Sequence, residues 1–429
     1  MKHVIDEGKT LLVDGPASVS LLSGNVNVLG APLQIEENLV VRQGKRLPLW
    51  IKKTATLEIM LGEGASINEV EDGTVPSSWD EAAKELLSLD KPVTVMVVGG
   101  IDSGKTSFCT FLLNAAVKEK LRTSVIDADL GQSDVGPPST VGFNFVAEPV
   151  KDLFEIDAQD AVFVGSTSPS GAISKVVEGL TSLASRLMEA GVDFLVINTD
   201  GWIEGEEATA YKVRLAEKVA ASVVVGMQQE NELNPILDAL HGVNVLVIVI
   251  DSPQLIQSRS RGKRKLLREL SYKKYMKGAK IQSFSISWIT VEDSLLGSGV
   301  PLPRNRLETL CNLLGTRPVY SEETINVLLV VLKESETVNE TRIKSVEEHF
   351  GKRVKVIRKG DEEGLLVGLK DEKDHFLGIG ILHEVDYKRK VLKVYTPVSK
   401  KVSTLCFGQI KLNKNFRETS LSTVYSTTL

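Results

Sequence analysis

A chain of 429 residues has room for roughly two to four domains and a sizeable core. Its 42% hydrophobic and 25% charged residues are those of an ordinary soluble globular protein, and no run approaches the ~18 continuous apolar residues of a membrane-spanning helix. A net charge of −5 opposes a nucleic-acid partner only if charge is spread evenly, yet residues 259–280 hold ten Lys or Arg and a single acid, Glu269.

The opening MKHVIDEGKT carries acids where a secretory leader would be apolar. Cys109, Cys311 and Cys406 lie far apart, form no metal-ligand cluster, and read as buried thiols in a reducing compartment. The expected location is the cytoplasm, or the nucleus for a eukaryotic source, with no membrane partner.

Residues 1–78 predict a small all-β N-terminal domain. Short β-type runs at 10–13, 18–22, 26–29, 39–41, 47–51 and 55–60 alternate with glycine-containing turns. After Val75-Pro76-Ser77-Ser78, the stretch 79–89 reads as a short helix. Residues 79–302 then change pattern. Apolar strands at 93–98, 124–128, 161–164, 194–198, 222–225 and 245–250 alternate with helices at 104–119, 174–190, 206–220 and 231–241. This predicts an α/β domain, a mostly parallel sheet with helices on both faces and its ligand site at the strands' carboxyl ends; the motif that follows makes it P-loop kinase-like. Residues 303–429 read as a β-rich C-terminal domain, with strands at 325–332, 354–357, 364–369, 376–382 and 391–394 and a helix near 341–349.

Residues 99–106, GGIDSGKT, match the phosphate-loop pattern G-x-x-x-x-G-K-[ST], and they stand between a strand and a helix as that loop requires. There the backbone of Gly99, Gly100, Ile101, Asp102, Ser103, Gly104, Lys105, Thr106 and Ser107 can surround the phosphates of ATP at the positive end of the helix. Lys105 would reach the β- and γ-phosphates, and the Thr106 hydroxyl would help hold Mg²⁺ or another divalent cation.

The second strand of this segment ends in VIDADLGQ, residues 125–132. Asp127 and Asp129 there can order the metal and its waters or accept a proton; the alternative is that they cap the next turn. GSTSPSG at 165–171 can clamp phosphates or a nucleic-acid backbone, or it is an ordinary turn. In NTDGWIEG, residues 198–205, Trp202 either stacks on a base, worth ~1–3 kcal/mol, or belongs to the core. Arg264 and Arg268 in RSRGKRKLLR are four apart and share a helix face. They can close over transferring phosphate as arginine fingers do, and the lack of interleaved acids favours that over a solvated basic helix.

In this order GGIDSGKT, DADLGQ, SPSG, NTDGW and RSRGKRKLLRE resemble the polynucleotide 5′-hydroxyl kinase family, which includes kinases of RNA cleavage, tRNA splicing and rRNA processing and archaeal relatives. The three-part layout without long insertions looks more like the archaeal members. The resemblance implies that Lys105 and Thr106 bind ATP phosphates and Mg²⁺, and that Asp129 activates the 5′-hydroxyl with Asp127 supporting the metal. It implies that Gln132 contacts the nucleic acid or the metal's waters, that Trp202 stacks near the terminal base, and that Arg264 and Arg268 form a lid. Thr167 and Ser168 are candidate clasp contacts. The implied reaction is ATP-dependent phosphorylation of RNA 5′-hydroxyl ends, with DNA as a further acceptor and protein partners unassigned. The rival readings are an ATP-bound scaffold without chemistry and a ParA-like ATPase, since DADLGQ is similar to acidic motifs there.

Overall fold

The computed structural model describes residues 1–255 and 258–421. The chain divides into two compact units, Met1–Arg268 and Glu269–Leu429.

The first unit opens with an antiparallel sheet of β1 (Lys2–Ile5), β2 (Thr10–Asp14), β3 (Ala17–Val28), β4 (Ala31–Leu33), β5 (Asn38–Val41), β6 (Arg46–Leu61) and β7 (Ser66–Val70). Its order is β4-β3-β6-β2-β7, with β1 on β6 and β5 on β3. On β6 the residues Leu47, Leu49, Ile51, Ala55, Leu57 and Ile59 are buried while Trp50 and Met60 are exposed, the period of two expected of a half-buried strand. From sequence β3 and β6 each read as two strands, because Ser23-Gly24-Asn25 and Lys52-Lys53-Thr54 interrupt the apolar pattern. In the structure both strands continue through, with register shifts between them at Leu21/Ser23, Ser23/Asn25 and Asn25/Val26.

Helix α1 (Ser77–Ser88) buries Trp79, whose indole Nε1 donates to Asp251 O at 2.9 Å. The central sheet comprises β8 (Val93–Gly99), β9 (Thr123–Ala128), β10 (Thr140–Val146), β11 (Asp160–Phe163), β12 (Phe194–Thr199), β13 (Val223–Gln228) and β14 (Leu246–Asp251), in the order β11-β10-β9-β12-β8-β13-β14. Four of its pairings, β9–β12, β12–β8, β8–β13 and β13–β14, are parallel. β10 is antiparallel to both neighbours and was not expected: its TVGFNFV breaks the apolar run with Gly142 and Asn144.

Helices α2 (Lys105–Lys118), α3 (Ile173–Glu189), α4 (Glu206–Lys218) and α5 (Asn234–Leu240) cover the sheet. Alternate residues of β8 enter two cores. Val95 and Val97 join α1, α2 and the N-terminal sheet, whereas Met96 and Val98 join α3, α4 and α5. Burial on both faces explains why β8 is apolar throughout. Helix α6 (Arg261–Tyr275) spans the boundary between the units.

The second unit holds β15 (Lys280–Ser285), β16 (Thr290–Glu292), β17 (Val300–Pro301), helix α7 (Arg304–Leu314), β18 (Tyr320–Glu323), β19 (Val327–Leu332), helix α8 (Glu340–Phe350), β20 (Arg353–Arg358), β21 (Leu365–Lys370), β22 (Phe376–Asp386), β23 (Val391–Thr396), β24 (Thr404–Leu412) and β25 (Glu418–Leu421). They form a sheet β15-β23-β22-β21-β24-β16, with β25 on β24, and a four-stranded sheet β17-β18-β19-β20. Residues 280–301 thus supply strands that pair with β23, β24 and β18. Among the described residues no helix is long and apolar enough to cross a membrane.

Candidate active site

The loop 99–106 leaves β8 and enters α2 through Gly104, whose φ of +102° suits a residue without a side chain. Lys105 is buried, and its Nζ donates to Gly100 O at 2.7 Å. Burial lowers its pKa from the usual lysine value, opposed by the nearby carboxylate of Asp129.

At the end of β9 the two predicted acids have different surroundings. Asp127 is fully buried and carries four N–H donors. Its Oδ1 accepts from Asp129 N at 3.2 Å and Asn198 Nδ2 at 3.0 Å, and its Oδ2 from Asp134 N at 2.6 Å and Val135 N at 3.1 Å. Those donors favour the ionised form, yet burial, with the charges of Asp129 and Asp134, pushes the carboxyl up to about 7. In Asp129, Oδ1 accepts from Gly131 N and Gln132 N, both at 3.0 Å, while Oδ2 has no hydrogen bond among the described residues. Burial raises the Asp129 pKa, and Lys105 opposes the rise.

Asn198, at the end of β12, ties the acid turn to the phosphate loop. Its Nδ2 lies 3.0 Å from Asp127 Oδ1 and 3.4 Å from Thr106 Oγ1. Thr106 and Asp129 each carry oxygens of the kind a hard cation takes, and Asn198 and Asp127 link the segments that bear them.

The clasp 165–171 follows β11. A Cβ placed at Gly131 would lie 3.0 Å from Thr167 O, so Thr167 borders the Asp129 turn. Within its own loop Ser168 N donates to Ser166 Oγ at 3.2 Å, and the Ser168 hydroxyl lies 3.1 Å from Ser170 Oγ. Beyond β12, Gly201 sits against the phosphate loop, where a Cβ would come within 2.8 Å of Ile101 N. Trp202 is half-buried and stacks on Tyr211 at 5.7 Å between ring centroids, so the indole is already packed on one side.

Beneath it lies a network not anticipated from sequence. Asp200 Oδ2 accepts from Tyr211 Oη at 2.9 Å and lies 3.0 Å from the ammonium of Lys212, whose exposure is 0%. Lys212 also donates to Asp200 O at 2.9 Å. The available signal was its place with Ala208, Tyr211 and Leu215 on the buried stripe of α4.

The lid begins ahead of α6. Asp102 Oδ2 accepts from Arg259 N at 2.8 Å and from Arg264 Nη1 at 3.2 Å. Arg264 Nη1 further donates to Arg259 O at 2.6 Å, and Gln132 Nε2 donates to Arg264 O at 3.1 Å. Gln132, expected to contact the nucleic acid or the metal's waters, thus also touches the lid backbone. Arg268 stands one turn beyond Arg264 on the same helix.

The N-terminal sheet reaches the same site. Arg42 Nη2 lies 2.8 Å from Asp134 and 2.9 Å from Asp152, and Lys45 Nζ lies 3.2 Å from each. Although burial acts to raise the Asp134 pKa, Lys45 and Arg42 hold it well below the usual carboxylate range. Through its backbone N–H the same Asp134 fixes Asp127.

A phosphate loop whose lysine faces a carboxylate, at the carboxyl edge of a mostly parallel sheet beside an arginine-bearing helix, defines a P-loop phosphotransferase. Residues 99–278 match the family described as mRNA cleavage and polyadenylation factor CLP1 P-loop. The polyribonucleotide 5′-hydroxyl-kinase of Methanocaldococcus jannaschii is 26% identical over 81% of this chain and 94% of its own length. That of Pyrococcus horikoshii is 28% identical over 81% of this chain and 93% of its own. The solved wild-type Clp1p–Pcf11p complex contains a chain of the same fold, with a TM-score of 0.67 at 13% identity over 96% of this chain and 97% of that one. Residues 99–278 therefore carry a CLP1-type P-loop domain, and the chain is similar over most of its length to archaeal polyribonucleotide 5′-hydroxyl-kinases.

Proposed function

We propose that this chain transfers the γ-phosphoryl group of ATP to the 5′-hydroxyl end of RNA, with DNA ends as a second acceptor. The observation that carries this reading is Asp129: one oxygen is pinned by two N–H groups and the other is left open beside Lys105. In the proposed step the 5′-oxygen attacks the γ-phosphorus in line, the bond to the β-phosphate oxygen breaks, and Asp129 Oδ2 takes the hydroxyl proton. Burial raises its pKa and so makes it a better proton acceptor than a solvated aspartate. Lys105, Arg264 and Arg268 offset charge on the transferring group.

Thr106 Oγ1 would hold Mg²⁺, with Asp129 and Asp127 ordering its waters so that Asp129 Oδ2 stays open to the proton, and the ion when bound would neutralise charge on the β- and γ-phosphates. Asp127, its lone pairs occupied by N–H donors, acts in this reading as support for the metal site and not as a direct ligand. The basic segment 259–280 and Trp202 hold the strand end by charge and stacking, so binding weakens with salt and depends little on base identity. Thr167 and Ser168 border the acceptor side.

The test is incubation with γ-labelled ATP and matched 5′-hydroxyl RNA and DNA oligonucleotides. Label at the 5′ end is expected; its absence across metals and pH values overturns the reading.

A further inference from the structure

We infer that Asp102, at a position the phosphate-loop pattern leaves unspecified, is the positioning residue that sets the lid arginine Arg264 against the transferred phosphate; the inference rests on the kinase reading above. The backbone at Asp102 is left-handed, with φ +56°, a conformation that Asp tolerates better than most residues. It stands at the crest of the loop, next to Ile101, which the Gly201 turn contacts from the other side. The Asp102 side chain is 14% exposed and turns outward to the lid.

There Oδ2 accepts two bonds of different kinds, the Arg259 N–H at 2.8 Å, two residues before α6, and Arg264 Nη1 at 3.2 Å. Arg264 is held by a second acceptor, Arg259 O at 2.6 Å. Asp102 thus fixes both the guanidinium and the backbone that carries its other partner. Two more tethers reach the same turn from unrelated elements, Gln132 Nε2 to Arg264 O at 3.1 Å and Arg259 Nε to Gly44 O at 3.1 Å. Of these contacts, only that of Asp102 comes from the loop that carries the phosphates.

Ordinary phosphate loops use this position for backbone alone, since it is unspecified in the pattern. A carboxylate next to a triphosphate is electrostatically unfavourable unless cations compensate it. Here two arginines do so, which is why an acid is tolerated and what it accomplishes. A misplacement of about 1 Å in such a group costs up to ~100-fold in rate.

Four proteins test this: wild type, Asp102→Ala, Asp102→Asn, and Asp102→Ala combined with Arg264→Ala. Each is assayed for label transfer and, separately, for backbone hydrogen exchange over residues 259–268 without nucleotide. Asp102→Ala is expected to lower kcat about 10- to 100-fold with little change in the KM for ATP, and to speed exchange at Arg259. Asp102→Asn, which keeps an acceptor, recovers part of kcat. In the Arg264→Ala background the Asp102 change adds little, because the two act as one unit.

Unchanged kcat and unchanged exchange in Asp102→Ala overturn the inference, as does full additivity with Arg264→Ala. A raised kcat also overturns it, since Asp102 would then be restraining the arginine. Loss of label transfer in wild type refutes the kinase reading instead, while the exchange arm still reports on the Asp102–Arg259 contact.

Discussion

Lys212 places its ammonium 3.0 Å from Asp200 Oδ2 with no exposure to solvent, so two charges that water would otherwise hold are satisfied by each other, by Tyr211 Oη and by one carbonyl. The pair lies under the Gly201–Trp202 turn, and Gly201 in turn presses on Ile101 of the phosphate loop. A buried ion pair adds little net stability, but breaking one is expensive. Lys212→Met is expected to destabilise the protein by about 3–5 kcal/mol because it strands the Asp200 charge. Lys212→Met with Asp200→Asn should regain part of that loss. Urea unfolding of the three proteins checks it.

Asp129→Asn is expected to cut phosphoryl transfer by about 100- to 10,000-fold, the usual contribution of a positioned base, while leaving ATP binding nearly intact. In the wild type the rate must rise as the base loses its proton. Burial raises its pKa, so the acid limb of kcat/KM should lie above the ordinary aspartate value of about 3.9. A pH–rate profile reads this directly, and equal loss of binding and transfer in Asp129→Asn contradicts the assigned role.

Asn198→Ala removes the amide that joins Asp127 to Thr106. As the support of a metal-site group, its loss should raise the half-saturating Mg²⁺ concentration by about 10-fold or more, with a smaller effect at saturating metal. Titration of transfer rate against Mg²⁺ checks it.

Acid sensitivity follows from Asp134. Its folded pKa is depressed, so the stability it contributes is present above the unfolded value of about 3.9 and is lost as pH falls toward the folded one. Below about pH 4 the wild type should therefore lose stability more steeply than Asp134→Asn. At neutral pH Asp134→Asn should be the less stable of the two, because Arg42 and Lys45 lose a partner, and that gap should narrow on acidification. Thermal melts across pH compare the two.

The motifs were legible because each is a short run tied to a strand end: GGIDSGKT after β8, DADLGQ after β9 and NTDGW after β12. Apolar runs buried on both faces also made the central strands plain. What escaped has a physical reason. β1 and β7 are mostly solvent-facing and carry few apolar residues. Helix α7 and β24 were missed too, with Arg304, Asn305 and Arg306 opening the helix and Lys411 and Gln409 diluting the strand. In the site, the pairs Asp102–Arg264, Asp134–Arg42 and Asp200–Lys212 join residues that no local spacing relates, the first across 162 positions. Trp202 shows the limit of residue type alone: it stands at the predicted edge, yet Tyr211 already covers one of its faces.

Asp134 answers in two directions at once, its carboxylate to Arg42 and Lys45 of the β-sheet before the kinase motifs, and its amide to Asp127 within them. The motif-bearing segment is therefore not portable. A fragment starting at α1 would carry every signature by which this family is recognised and still lack the groups that hold its acid turn in register. Any recombination that exchanged the N-terminal sheet would have to keep the cations at positions 42 and 45 to preserve those contacts.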